Sequence, residues 1–398
     1  MHRDDYIAEV LRGVRWKRAH DTVRRELLSH IEDQQEAYVL DGIPQTAAQD
    51  KAVLEMGEAA QVARDYDKVL RPRSDRRMLL LVAGLYLFSI LFCAFRHITG
   101  TAADGWLEDA AGMLLGAATF AAGYFMDMRP LLRKGVLIYL VYLAGLLLCY
   151  VAAFTWTFPF NLDWAVGGYW LLLAPLAHAF LIAALKGKGL AASAVVLAAP
   201  WLIHGITEGN FEMIGRELLL LVGLALSLFA FSQGFFKRAR YLPWLYVLGL
   251  IVLVIAPIRS DTFAQYFDLN LLGTAWMDVA FWTYRPTPAE TYGGAQALVR
   301  SFGWGSFLIL SIPYLLLVCL CLRTGMRRKR TGAQMICVAV ALSLLMQFVC
   351  ALTVTSHLYL GTIWPMPFVD AKPASTMLNL FQIGLVMGIG RMGTLDMG

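Results

Sequence analysis

RSDRRMLLLVAGLYLFSILFCAFR, residues 73–96, changes character in a single step. Its first five residues hold four charges, and the next eighteen, Met78–Phe95, hold none. At 1.5 Å per helical residue, an uncharged apolar run of about 20 residues spans the roughly 30 Å hydrocarbon core of a bilayer. Outward from this boundary, residues 1–77 hold 29 of the 63 charges, 14 basic and 15 acidic, and the remaining 321 residues hold 34. A charged, nearly neutral head therefore precedes an apolar body.

The whole chain agrees. Of its 398 residues 58% are hydrophobic and 16% charged, against about 25% charged in soluble domains, and the mean hydropathy is +0.58. This excludes a disordered chain, a nucleic-acid-binding module and an ordinary cytosolic enzyme. The net charge of +5 belongs to the body and does not call for a polyanionic partner. Ten apolar stretches follow the head, near 78–95, 110–126, 135–154, 168–185, 189–204, 212–232, 241–257, 304–322, 333–355 and 376–390. Backbone polar groups in lipid must be satisfied within the segment, and no stretch alternates as a barrel strand does, so these are helices. With the head in the cytoplasm, inside loops and the tail hold 14 basic residues and outside loops hold 5: Arg96, Arg259, Arg285, Arg300 and Lys372. That asymmetry follows the positive-inside rule. The expected fold is all-α: a polytopic membrane domain of ten transmembrane helices over 78–391, both termini cytoplasmic, behind a cytosolic helical bundle over 1–72.

In the head, Leu27, Leu28, Ile31, Tyr38 and Val39 recur at helical steps. Gly42 stops that helix, Pro44 opens the next, which runs to Gly57, and a last helix, EAAQVARDYDKVL, ends at Pro72. The N-terminus is too charged to hold the apolar core of a signal peptide. Cys93, Cys149, Cys319, Cys321, Cys337 and Cys350 lie in apolar stretches without CxxC or His-rich spacing, which reads as small apolar filling rather than a metal site. His178, inside a span, is expected to be internally hydrogen-bonded. Arg216-Glu217, near the end of the sixth span, is expected to be paired or functional. One outside loop, 258–303, is about 46 residues long and carries Asp278, Glu290 and several aromatics. A long loop that is neither charged nor repetitive points to function.

Two resemblances add to this. The pattern REL-x-x-HIED, Gly42, AVLEMGE and V-A-x-x-Y, over about 22–70, resembles the helical prefix domain found before permease-like membrane proteins. GTIWPMPFVDAKPASTMLNLFQIGLVMGIGR, 361–391, resembles the C-terminal signature of the SEDS family (FtsW, RodA and SpoVE), through Gly361, Pro365, Pro367, Phe368, Val369, Asn379, Gly384 and Arg391. Phe302–Arg323 resembles the family helix that follows its large extracellular loop, and Tyr124–Lys134 its second-helix exit. This resemblance covers about 78–398. It implies a bacterial plasma-membrane protein of peptidoglycan synthesis in division, elongation or sporulation. Its substrate would be the lipid-linked disaccharide precursor, and its partner a single-span penicillin-binding transpeptidase. It implies no cofactor, with a divalent cation compatible with the chemistry.

The family's inverting glycosyltransferases use an acidic residue near the end of the large loop, a carboxylate that takes the acceptor hydroxyl's proton as it attacks. Ungapped counting back from Phe302 puts Tyr292 at the family aspartate, and Glu290 is the nearest carboxylate and the candidate base. Arg259, Arg285, Arg300, Lys372 and Arg216 are candidates to hold the precursor diphosphate. The motifs opening the family's fourth and sixth helices are replaced by GGYWLLLAPLAH and ITEGNFEMIG. Two readings stand: a divergent polymerase, and a non-catalytic protein that binds a lipid-linked glycan or a synthase partner. A permease, suggested by the head alone, would show internal repeats or interrupted spans with midplane charges, and none is evident.

Overall fold

The computed structural model describes residues 2–70, 74–100, 105–155, 169–207, 213–236, 293–328, 331–356, 365–370 and 372–392. All regular structure among them is helical. They fall into two compact units, one built on Met1–Asp75 and the other on Arg76–Gly388.

The first unit has four helices: α1 Arg3–Gly13, α2 His20–Leu40, α3 Gln45–Glu55 and α4 Ala59–Leu70. They enclose Tyr6, Ile7, Val10, Leu11, Val23, Leu27, Ile31, Val53 and the small Ala52 and Ala63. The left-handed Gly42 (φ 86°) and Gly57 (φ 80°) turn the chain after α2 and α3, a conformation in which glycine carries no Cβ penalty. The buried stripe of α2 is Val23, Leu27 and Ile31, with Leu28 and Tyr38 partly buried. Val39, expected on that face, is 43% exposed; one residue on from Tyr38, it is turned about 100° away from it.

The second unit holds α5 Arg76–Ile98, α6 Trp106–Phe125, α7 Met128–Arg133 and α8 Gly135–Thr155. There follow α9 Ala174–Leu185, α10 Leu190–Thr207 and α11 Met213–Ser232. The last four are α12 Gly294–Phe302, α13 Trp304–Met326, α14 Gly332–Thr355 and α15 Pro373–Arg391. Five of them, α5, α10, α13, α14 and α15, are long and apolar enough to cross a membrane, and Gly135–Cys149, Tyr169–Leu185 and Glu217–Ser232 are shorter apolar helices. The protein is a polytopic membrane protein. Of the ten expected spans, the second falls in α6, whose first turn carries Glu108 and Asp109, and the seventh, 241–257, lies outside the described residues.

α14 is the axis of this unit. It packs against α9, α11, α12 and α13 and is buried along most of its length. By contrast α5 and α13 expose Leu80, Leu91, Ile309 and Ile312, apolar faces suited to lipid. α6 and α15 meet along glycines. A Cβ on Gly123 would lie 2.5 Å from the Phe381 carbonyl oxygen, and one on Gly384 would strike that of Phe120. Small residues at such a seam let two backbones approach where lipid supplies no hydrophobic drive. α15 is also tied to α14 by a reciprocal amide pair. Gln347 Nε2 donates to Asn379 Oδ1 at 2.9 Å and Asn379 Nδ2 donates to Gln347 Oε1 at 3.0 Å.

Candidate functional site

The site is built on the turn before α15. Pro367 keeps Met366 out of a helical conformation, and the chain then folds back tightly. The N–H groups of Val369 and Asp370 donate to the Met366 carbonyl at 3.2 and 3.0 Å. Phe368 sits at φ 69°, a left-handed conformation that a bulky residue holds only where its surroundings impose it. Asp370 supplies that constraint. Its Oδ2 accepts from Met366 N–H at 2.8 Å and its Oδ1 accepts from Gly294 N–H. Gly294, the first residue of α12, must be glycine here, because a Cβ would run into the Val369 carbonyl. The signature turn is thus latched to the point where the chain leaves the long loop.

Asp370 is 5% exposed. Burial pushes its carboxyl above the ordinary value, against the downward pull of the Gly294 and Met366 N–H groups and of the Arg96 and Lys372 charges. Both oxygens are engaged by backbone, so Asp370 acts as a latch rather than a free base. The cations around it are a different matter. Arg96 lies in the last turn of α5, and Lys372 is exposed immediately before α15. The rings of Phe95 and Phe302, 5.0 Å apart, bring the end of α5 to the end of α12. Arg96 and Lys372 both lie within electrostatic reach of Asp370, and an Arg with a Lys is the donor set that suits a diphosphate.

Beside Arg96 is a second cluster. His97 Nε2 lies 2.8 Å from Asp109 Oδ2, and Cys93 Sγ donates to the same oxygen at 3.5 Å. Cys93 is therefore not mere filling, as its apolar neighbours in sequence imply. Cys321, Cys337 and Cys350 are buried and fit the filling role, while Cys319 is exposed. Among the described residues this is the cluster with donors enough for a metal. Its sulfur and imidazole donors do not fit the all-oxygen preference of Mg²⁺ at a diphosphate, and Asp370 has already committed both oxygens.

Of the residues expected from sequence, Glu290, Arg259, Arg285, Asp278 and Tyr292 lie outside the described residues, as does the side chain of Arg216 in α11. Arg300 is half-buried in the last turn of α12. Lys372 joins the cluster at Asp370. Glu217 is paired with His204 Nε2 at 3.0 Å, and His178 Nε2 is bonded to Ser227 Oγ at 2.9 Å, the internal partner expected of it. Asp370, which lies unremarked inside the C-terminal stretch 361–391, and Arg96, which stood only in the count of outside charges, were not expected at the site.

The fold is similar to that of several solved structures. A chain from a study of structural coordination of polymerisation and crosslinking by a peptidoglycan synthase complex superposes with a TM-score of 0.57 at 17% identity, covering 81% of this chain and 99% of its own. The rod shape determining protein RodA of Thermus thermophilus superposes at 0.54 and 16% identity, over 81% of this chain and 98% of its own. This chain has the RodA fold. An aspartate-to-alanine variant of RodA gives 0.51 at 20% identity. No family model matches the chain, and no curated protein matches its sequence.

Proposed function

We propose that this is a SEDS-like protein of peptidoglycan synthesis in a bacterial plasma membrane, binding the lipid-linked disaccharide precursor at the end of the body where Arg96 and Lys372 gather. The observation that carries the reading is the extent of the shared fold: the chain spans nearly the whole of RodA and of the synthase chain, at 98% and 99% of their lengths. The cationic end supports it, because a diphosphate carries negative charge that Arg and Lys side chains meet with charge-assisted hydrogen bonds. In this reading ten spans place both termini in the cytoplasm and loop 258–303 outside, with residues 1–72 as a separate cytosolic domain. Arg259, Arg285, Arg300 and Arg216 are further contacts for the precursor, and a single-span penicillin-binding transpeptidase is the partner.

The chemical step assigned to the site is polymerisation. Glu290, four residues ahead of Gly294, is tied to the latch by a segment that reaches at most about 14 Å. As the acceptor hydroxyl attacks the anomeric carbon, Glu290 takes its proton, the bond to the diphosphate breaks and the lipid diphosphate leaves. Tyr292 at the family aspartate position favours the second reading, in which the same surface binds precursor without turning it over. Glu290→Gln separates the two. Polymerisation by purified protein with its transpeptidase partner should fall about 100-fold or more, with precursor binding unchanged. Wild-type protein that binds precursor and makes no polymer would leave the binding role alone.

A further inference from the structure

We propose that Cys93, His97 and Asp109 form a transition-metal site, most suited to zinc, that fastens α5 to α6. Cys93 and His97 are four residues apart on α5, so they share one helical face, and Asp109 reaches them from the first turn of α6. The donor atoms all lie within 4.8 Å of one another. Ligands about 2.0 and 2.3 Å from a tetrahedral zinc sit roughly 3.5 Å apart, which is the observed Cys93 Sγ to Asp109 Oδ2 separation of 3.5 Å. The His97 to Asp109 contact, 2.8 Å, would have to widen by about 0.5 Å to seat the ion between them.

A second, independent observation points to a ligand. Asp109 is 4% exposed, and its Oδ1 is buried with no hydrogen-bond partner among the described residues. A buried carboxylate oxygen left so is costly, and a metal that Asp109 binds through Oδ1, alone or together with Oδ2, removes the cost. Charge also balances. On binding, Cys93 gives up its thiol proton to solvent and becomes thiolate, His97 binds as neutral imidazole, and Asp109 is anionic. The two negative charges cancel the dication, so the site is neutral in its low-dielectric setting. Thiolate with imidazole selects zinc over magnesium or calcium. Three protein donors leave one position for water or another oxygen ligand. The proposal stands whether or not Glu290 is a base.

The test uses the full chain, purified in detergent, stripped with chelator and titrated with Co²⁺ and then Zn²⁺. One equivalent of Co²⁺ should give a thiolate-to-cobalt charge-transfer absorption that Zn²⁺ abolishes. Cys93→Ala and His97→Ala should lose it, and Cys319→Ala should keep it. On the wild-type chain, where folding of a variant is not in question, Zn²⁺ should slow alkylation of Cys93, read peptide by peptide, at least tenfold, and leave Cys319 unaffected. No charge-transfer band, a band that survives Cys93→Ala, or equal alkylation of Cys93 with and without Zn²⁺ would each overturn the site.

Discussion

Two buried aspartates at this end of the body do opposite work. Asp370 gives each carboxylate oxygen a backbone N–H, from Gly294 and from Met366, across 76 and 4 residues of sequence. Asp109 concentrates two side-chain contacts, from His97 and Cys93, on one oxygen and leaves the other without a partner among the described residues. A carboxylate saturated by backbone is scaffold: it fixes the turn at Phe368 and the start of α12. A carboxylate with a spare buried oxygen is a site awaiting a ligand. Burial alone does not separate the two roles, since the residues are 5% and 4% exposed; the identity of the donors does.

The comparison predicts unequal losses. Asp370→Ala should be the most damaging, because it strands two buried N–H groups at about 1–3 kcal/mol each. A large drop in the thermal midpoint of the purified protein is the expected result, and an unchanged midpoint would break the latch. Asp370→Asn keeps an acceptor for at least one N–H and should cost less. It should also change the pH dependence. Because folding raises the Asp370 carboxyl, its contribution is complete below the ordinary carboxylate range and is lost as pH rises through the folded value. The stability of wild type relative to Asp370→Asn should therefore fall as pH increases, and a flat difference would deny the shift. The smallest effect belongs to Asp109→Asn in metal-free protein, within about 1 kcal/mol, since an amide oxygen still accepts from His97. A loss as large as that of Asp370→Ala would erase the contrast.

Much of the fold was legible because its signals are local. The step at Met78 reads as membrane entry from residue types alone, and in the head Gly42 and Gly57 follow the helices that end there while Pro44 opens one. The amide pair of Gln347 and Asn379 gives the Asn of the C-terminal signature a packing role, and its partner 32 residues earlier gave no sequence cue. The site was less legible. Asp370 acts through backbone groups, which carry no residue identity, and one of them is far away in sequence. Cys93 and His97 had metal spacing on one helix, but their third member lies across a turn, and a search for CxxC or His-rich tracts passes over a Cys-x-x-x-His pair. Arg96 was visible as one of five outside cations and became a site residue only when α5 and the turn before α15 were seen to share one end.

Under the proposed function, the end of the body that carries Arg96 and Lys372 holds a lipid-linked diphosphate sugar. Binding of the lipid-linked disaccharide to the purified protein in nanodiscs, measured beside the same lipid carrying a neutral headgroup, tests it most directly. The expected result is saturable binding of the diphosphate form, weakened about tenfold by Lys372→Ala through loss of one charge-assisted hydrogen bond, and no binding of the neutral form. Equal binding of the two lipids, or diphosphate binding indifferent to Lys372→Ala and Arg96→Ala together, would contradict it.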